Sequence, residues 1–230
     1  MKNPIATPVC TLVSKQLVVF VGAATVVSSL GQNIDTFPLW NGSGRATWGP
    51  GPTPPNASPT YGQTFTATAS QDELLSMTFS LEARNSTPFN FRAFVFQWGG
   101  TNTTGGALFT SAVTQVPTII GNFVLVTINT GGLNLIPGQQ YVALFSVNGL
   151  GESGNAGYAY WGYLGGADGY SGGNFVFNNT ASFQGGWQNT GAGDLAFELG
   201  FAPVPEPSTI SLACLGALAL GLRLRRSGRL

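Results

Sequence analysis

The chain has 230 residues, of which 43% are hydrophobic and only 8% are charged, and its formal net charge is zero. It contains no histidine, which excludes a Ser-His-Asp triad, a Cys-His pair and any histidine metal ligand. Between Gln32 and Pro203, the stretch called the body below, eight acidic residues outnumber three arginines, so nucleic acid is not an expected partner.

The first 31 residues have the pattern of a secretory signal peptide. Lys2 and Lys15 precede an apolar stretch of about 14 residues, a length typical of a signal-peptide core. Ser29 and Gly31 are small enough to allow cleavage after Gly31. A cleaved signal is favoured over a buried helix or an uncleaved anchor, and it predicts that the body is exported.

Residues 32–61 have the composition of a leader rich in proline and glycine. The run W-N-G-S-G-R-A-T-W-G-P-G-P-T-P-P-N has little hydrophobic periodicity, and its Pro/Gly density predicts a loop or an extended segment. Trp40 and Trp48 lie within the leader and are candidates to pack on the domain that follows.

Residues 62–203 alternate short apolar runs with turn residues, and none of these runs has convincing helical periodicity. The predicted strands are 63–69, 75–81, 89–98, 107–111, 122–128, 140–147, 158–163, 174–177 and 194–201. The run 89–98 is apolar on both faces, which predicts a central strand. Many short strands separated by turns indicate an all-β fold, an antiparallel sandwich or jelly roll.

The turn before the strand at 140–147 carries a further signal. The run L-I-P-G-Q-Q-Y, from Leu135 to Tyr141, resembles the turn-and-tyrosine feature of fibronectin type III domains over a short stretch. Within it, Pro137 and Gly138 suit the central pair of a type II turn.

The segment 155–187 interleaves aromatic residues with glycine, asparagine and aspartate. Aromatic faces stack on sugar rings and polar side chains bind hydroxyls, so the segment is a candidate glycan-binding surface. Packing of these rings in the core is the alternative. Asp168, with Asn174 nearby, is a weak calcium candidate, because D-G more often marks a turn. The candidate glycan-binding residues are Tyr158, Tyr160, Trp161, Tyr163, Tyr170 and Trp187.

The body contains no lysine, no cysteine and no P-loop, so it has no amine or thiol nucleophile and no lysine to bind phosphate. A glycosidase needs only two carboxylates, so a carbohydrate-active enzyme is the alternative to a non-catalytic domain. Glu82 and Glu198 alternate with apolar residues and are expected to face solvent. We therefore predict a protein without catalytic residues or cofactors.

The last segment, 204–230, combines an extended motif, an apolar run and a basic end. Proline and the residue before it disfavour helix, so the motif is expected to be extended. The run 210–222 is shorter than a full membrane span of about 20 residues, but its neighbours can extend it into a transmembrane helix. Arginines just beyond an apolar run stay on the cytoplasmic side and stop transfer. The motif is Val204, Pro205, Glu206 and Pro207; the stop-transfer arginines are Arg223, Arg225, Arg226 and Arg229.

These three parts, in this order, closely resemble the PEP-CTERM sorting signal of Gram-negative bacteria. The resemblance implies an exported protein that is held in the inner membrane as a precursor, is processed by an exosortase, and then reaches the cell surface or extracellular matrix. It further implies an association with exopolysaccharide or biofilm, with polysaccharide as a candidate partner. An ordinary C-terminal anchor is the alternative for the tail, and a purely structural matrix protein is the alternative for the body.

Overall fold

The computed structural model describes residues 32–50, 58–151, 157–166, 169–189 and 193–203, all of which lie within one compact unit. The predicted signal peptide 1–31 and the sorting segment 204–230, with the helices expected in them, lie outside the described residues. Within the described ranges there is no helix with the length and hydropathy needed to cross a membrane.

The described residues form thirteen strands and one short 3-10 helix, Phe37–Leu39. The strands are β1 (Ile34–Asp35), β2 (Gly44–Trp48), β3 (Thr60–Thr66), β4 (Glu73–Ala83), β5 (Asn90–Trp98), β6 (Thr103–Thr110), β7 (Thr114–Gln115), β8 (Val124–Asn134), β9 (Gln140–Ser146), β10 (Ala159–Gly162), β11 (Phe175–Asn178), β12 (Trp187–Asn189) and β13 (Phe197–Phe201).

The strands pair into two antiparallel sheets. Sheet A has the order β1-β13-β4-β10-β2, with β8 on the opposite side of β4, and sheet B has the order β12-β11-β3-β9-β5-β6, with β7 also paired to β5. Phe79 of β4 illustrates the arrangement of sheet A, because it pairs with Phe197 of β13 on one side and with Val126 of β8 on the other. The predicted all-β antiparallel sandwich is confirmed.

Aromatic rings from both sheets meet in the core between them. Trp161 of β10 lies 5.3 Å from Trp48, 4.8 Å from Phe79 and 5.3 Å from Phe145, measured between ring centroids. All four side chains have no exposed surface. Edge-to-face and tilted contacts of this kind stabilise a core beyond the area that it buries.

Strand β5 is apolar on both faces because sheet B packs on both faces. Phe91, Ala93 and Val95 point into the main core, whereas Phe96 and Trp98 belong to a second, smaller cluster. The smaller cluster also contains Val142, Leu144 and Val176, and it is covered by Phe94, Phe183 and Trp187. As predicted from its two apolar faces, β5 lies inside the sheet, with β9 on one side and β6 and β7 on the other.

The predicted leader, 32–61, is not separate from the sandwich. It supplies β1 and β2 to sheet A and the first residues of β3 to sheet B. Trp48 is fully buried, and its indole nitrogen donates a hydrogen bond to the Pro59 carbonyl at 3.1 Å. The prediction allowed a loop or an extended segment, and β1 and β2 are extended. Their pairing in a sheet had no signal in the sequence, because they are short and G-R-A-T-W lacks an apolar alternation. The Pro/Gly-rich part, 51–57, lies outside the described residues.

The predicted turn before β9 is present. The Gln139 N–H donates to the Ile136 carbonyl at 3.1 Å, and Gly138 has φ +83°, as the third residue of a type II turn requires. The Tyr141 hydroxyl then accepts a hydrogen bond from the Ile136 N–H at 2.8 Å. This hydroxyl ties the turn to the strand.

Candidate functional site

The six aromatic residues predicted to bind glycan do not form one surface. Trp161 is fully buried, whereas Tyr158, Tyr160, Tyr163, Tyr170 and Trp187 are half-buried. Along β10, Ala159 and Trp161 face the core, so Tyr160 between them faces outward. The prediction was wrong for Trp161, because a ring enclosed by the core has no face left for a sugar.

Tyr160 belongs to a small charged cluster on the outer face of sheet A. It pairs with Glu82 across β10 and β4, which places the two side chains on the same face. The Arg84 guanidinium lies 4.4 Å from the centre of the Tyr160 ring and binds the Glu82 carboxylate at 2.7 Å. Glu82 was expected to face solvent, but it is only 6% exposed because its neighbours cover it.

Tyr163 and Trp187 have structural partners. The Tyr163 ring makes an edge contact with the core residue Phe175 at 5.9 Å, and the Arg45 guanidinium lies 5.5 Å from its centre. Trp187 packs edge-on against Trp98 at 5.3 Å, and its indole nitrogen donates to the Phe183 carbonyl at 2.6 Å. These contacts hold both rings in place within the fold.

Tyr170 forms part of the wall of a polar groove. The groove has a volume of about 310 Å³, which is near the lower end of ligand-binding pockets. Its wall comes from β1, from the turn after β3 and from the segment before β11. The lining residues are Gln32, Asn33, Ile34, Asp35, Thr36, Thr68, Gln71, Gly169 and Tyr170.

The buried carboxylate of Asp194 fixes the aromatic wall of the groove. Asp194 is 1% exposed, and its Oδ2 accepts hydrogen bonds from the backbone N–H of Gly169 at 2.9 Å and of Tyr170 at 2.8 Å. Its Oδ1 accepts from the Gln63 side-chain amide at 2.7 Å. The Tyr170 hydroxyl accepts from the Thr66 N–H at 3.1 Å. Tyr170 is therefore held at both its backbone and its hydroxyl.

The other lining residues include amides and one carboxylate. The Gln71 amide donates to the Gln32 carbonyl at 2.7 Å, and the Asn33 amide donates to Glu198 at 2.9 Å. Asp35 is exposed, and its Oδ1 accepts a hydrogen bond from the Phe37 N–H at 2.8 Å. Hydroxyl, amide and carboxylate groups at a fixed wall are the donors and acceptors that match sugar hydroxyls.

The described residues contain no group of three aspartate, glutamate or cysteine side chains placed to hold a metal ion. Asp168, the weak calcium candidate, lies outside the described residues. Asn174 is exposed, and its backbone carbonyl accepts a hydrogen bond from the Thr64 N–H at 2.9 Å.

Two tyrosines with raised pKa values, Tyr61 and Tyr170, predict a loss of stability in alkaline solution. Burial raises the pKa of Tyr170, and the nearby Asp194 carboxylate raises it further; burial also raises the pKa of Tyr61 above its ordinary value of 10.0. A raised pKa in the folded state contributes stability that is complete below pH 10.0 and is lost as pH rises through the folded-state pKa. We expect the melting temperature to fall above that pH, and to fall less steeply in Tyr170→Phe. A melting temperature that does not depend on pH between 9 and 11 would contradict this expectation.

A protein-family model described as the PEP-CTERM protein-sorting motif matches residues 203–226. No curated protein matches the chain. The matched range contains Pro205, Glu206 and Pro207, the apolar run and the first three of the four arginines. The resemblance seen in the sequence is therefore confirmed, and the motif indicates an exported protein that is processed by an exosortase.

Proposed function

We propose that this PEP-CTERM protein, once an exosortase has sorted it, works as a non-catalytic polysaccharide-binding protein of the cell surface or extracellular matrix. The observation that carries the proposal is the groove at Tyr170. The groove is polar, and hydrogen bonds fix the position of its Tyr170 wall. Such a groove suits a ligand made of sugar rings and hydroxyl groups. Exopolysaccharide at the cell surface, which the resemblance of the tail implies, is a ligand of this class.

The route to the surface follows from the two ends of the chain. The signal at 1–31 starts export, the apolar run 210–222 holds the precursor in the inner membrane, and the arginines keep the tail on the cytoplasmic side. The exosortase then acts near Pro205–Pro207 and passes the body to the surface. The tail therefore directs sorting, and we assign polysaccharide binding to the body.

The composition of the groove favours binding over hydrolysis. A glycosidase places two carboxyl groups on either side of the bond that it cleaves. Among the described lining residues of the groove, Asp35 is the one carboxylate. Asp194, although close to the groove wall, is buried and accepts hydrogen bonds from the backbone of Gly169 and Tyr170. Its oxygens are therefore engaged in holding the fold.

The test is binding of the processed, exported protein to an array of polysaccharides, followed by the variant Asp35→Asn. Asparagine keeps an oxygen that accepts from the Phe37 N–H but removes the charge that strengthens a hydrogen bond to a sugar hydroxyl. We expect affinity to fall roughly tenfold, the equivalent of about 1.4 kcal/mol.

The matched control is Asp72→Asn, an exposed aspartate outside the lining of the groove, which should leave affinity unchanged. Equal losses in both variants would mean that a general change of charge, rather than the groove, controls binding. An array without any signal for the wild-type protein would refute polysaccharide binding and favour a purely structural role in the matrix.

A further inference from the structure

The two sides of the sandwich end in edge strands of very different length. On one side, the outer strands among the described residues are β1, β2 and β12, with two, five and three residues. On the other side they are β6, β7 and β8, with eight, two and eleven residues. Short edge strands are a common protection against unwanted pairing, and β8 lacks this protection.

One part of β8 is a regular, open edge. Val124–Asn129 pairs residue by residue with Leu81–Ser76 of β4, and no other described strand pairs with β8. After Asn129 the register shifts, and the shift includes Gly131 and Gly132, both with positive φ. A bulge of this kind twists an edge and ends its regular pairing.

Strand β6, the neighbouring edge, is interrupted. Thr104 pairs with Gln97 and Phe109 pairs with Val95, so Gly105–Leu108 bulges out of the ladder between them. The segment Val124–Asn129 is therefore the longest regular edge on this side of the sandwich in the described residues.

The composition of this edge contains none of the usual barriers to pairing. V-L-V-T-I-N has no proline, glycine or charge, and four of its six residues are β-branched. The chain has no charged residue at all between Arg92 and Glu152. Leu125 is 59% exposed, and Ile119 and Ile120 just before the strand are each 53% exposed. An apolar, uncharged edge of this kind is a site of strand addition.

We propose that Val124–Asn129 pairs with the same segment of a second copy of this chain, antiparallel and around a twofold axis, so that two copies of sheet A become one continuous sheet. Because this edge has no charged side chain, it cannot form ion pairs with a charged partner. Two copies of the edge, by contrast, meet without repulsion, although the body as a whole is mildly acidic. Side chains directly opposite share a face, so the register centres on one residue, and we place this centre at Thr127, near the middle of the segment.

The proposal is independent of polysaccharide binding, because the edge and the groove share no described residue. The test is sedimentation of the exported protein and of Leu125→Lys, which places a positive charge on the proposed pairing edge of each copy. Wild-type protein should sediment as a dimer and Leu125→Lys as a monomer with an unchanged circular dichroism spectrum. The matched control, Ile136→Lys, alters a side chain that is 66% exposed and lies outside β8, and it should remain a dimer.

A second measurement, disulfide cross-linking, locates the proposed twofold axis along the strand. The body has no cysteine, so Thr127→Cys introduces a single thiol there, and two such thiols across the axis lie close enough to form a disulfide. Under a mild oxidant this variant should give a covalent dimer, whereas wild type and Ile136→Cys should not. A monomeric wild type, or a Leu125→Lys variant that remains a dimer without cross-linking of Thr127→Cys, would overturn the proposal.

Discussion

Replacement of Glu206 by alanine is expected to abolish processing by the exosortase while leaving export intact. The residue lies within the matched sorting motif, between two prolines that keep the chain from forming a helix. A motif that the sequence predicts to be extended, with one carboxylate between two prolines, is a feature that an enzyme at the membrane surface can recognise. Its loss should leave the full precursor in the inner-membrane fraction, which immunoblots of fractionated cells would measure.

The control for this change is Glu152→Ala, which removes a glutamate of the body outside the motif and should be processed normally. Mass spectrometry of the wild-type protein from the cell surface should show that both the first 31 residues and the apolar tail have been lost. Normal processing of Glu206→Ala would show that the motif is not what the exosortase reads in this chain.

The alternation of apolar and polar residues predicts the long strands well. Each of the nine runs predicted between 62 and 203 overlaps a strand of the structure, because a strand with one buried face must alternate its side chains. Strands β1, β7 and β12 were missed because two or three residues are too few to show a period. Strand β2 was missed because Trp48 is the only large apolar side chain in it.

The aromatic segment shows where a local pattern stops being informative. Sequence alone identifies Tyr158, Tyr160 and Trp161 as sugar-binding types, but both a core and a glycan surface use such rings. Core packing and sugar binding can be distinguished only in the folded structure, where sheet B covers one face of β10. There, Trp161 meets rings from sheet B, and Tyr160 meets Arg84.

The groove at Tyr170 has no local signal in the sequence. Its walls come from three distant segments, near residues 33, 70 and 170. They meet only because β1 pairs with β13, and because Asp194, just before β13, binds the backbone of Gly169 and Tyr170. Long-range pairing of this kind depends on the whole fold and has no local sequence signal. Of the residues that line the groove, Tyr170 is the one that the sequence analysis named as a glycan-binding candidate.

Substitution of Trp161 by alanine is expected to cost about 3–5 kcal/mol of the free energy of unfolding, as for other large buried aromatic residues. The ring has no exposed surface and contacts rings of both sheets, so its loss leaves a cavity at the junction of the two sheets. For a domain of this size the melting temperature should fall by roughly 10 °C, which thermal denaturation followed by circular dichroism would measure.

Two further variants separate the contribution of the ring from that of its polar atom. The Trp161 indole nitrogen is buried without a hydrogen-bond partner among the described residues, so Trp161→Phe keeps an aromatic ring in the core and removes an unpaired donor. It should therefore cost much less than Trp161→Ala. Tyr160→Ala, at the adjacent position on the outer face, should also cost less, because that ring is half-buried. If Tyr160→Ala proved the more damaging of the two alanine changes, the core would have to be centred on the opposite face of β10. Since Trp48, Phe79 and Phe145 all converge on Trp161, we expect the reverse order.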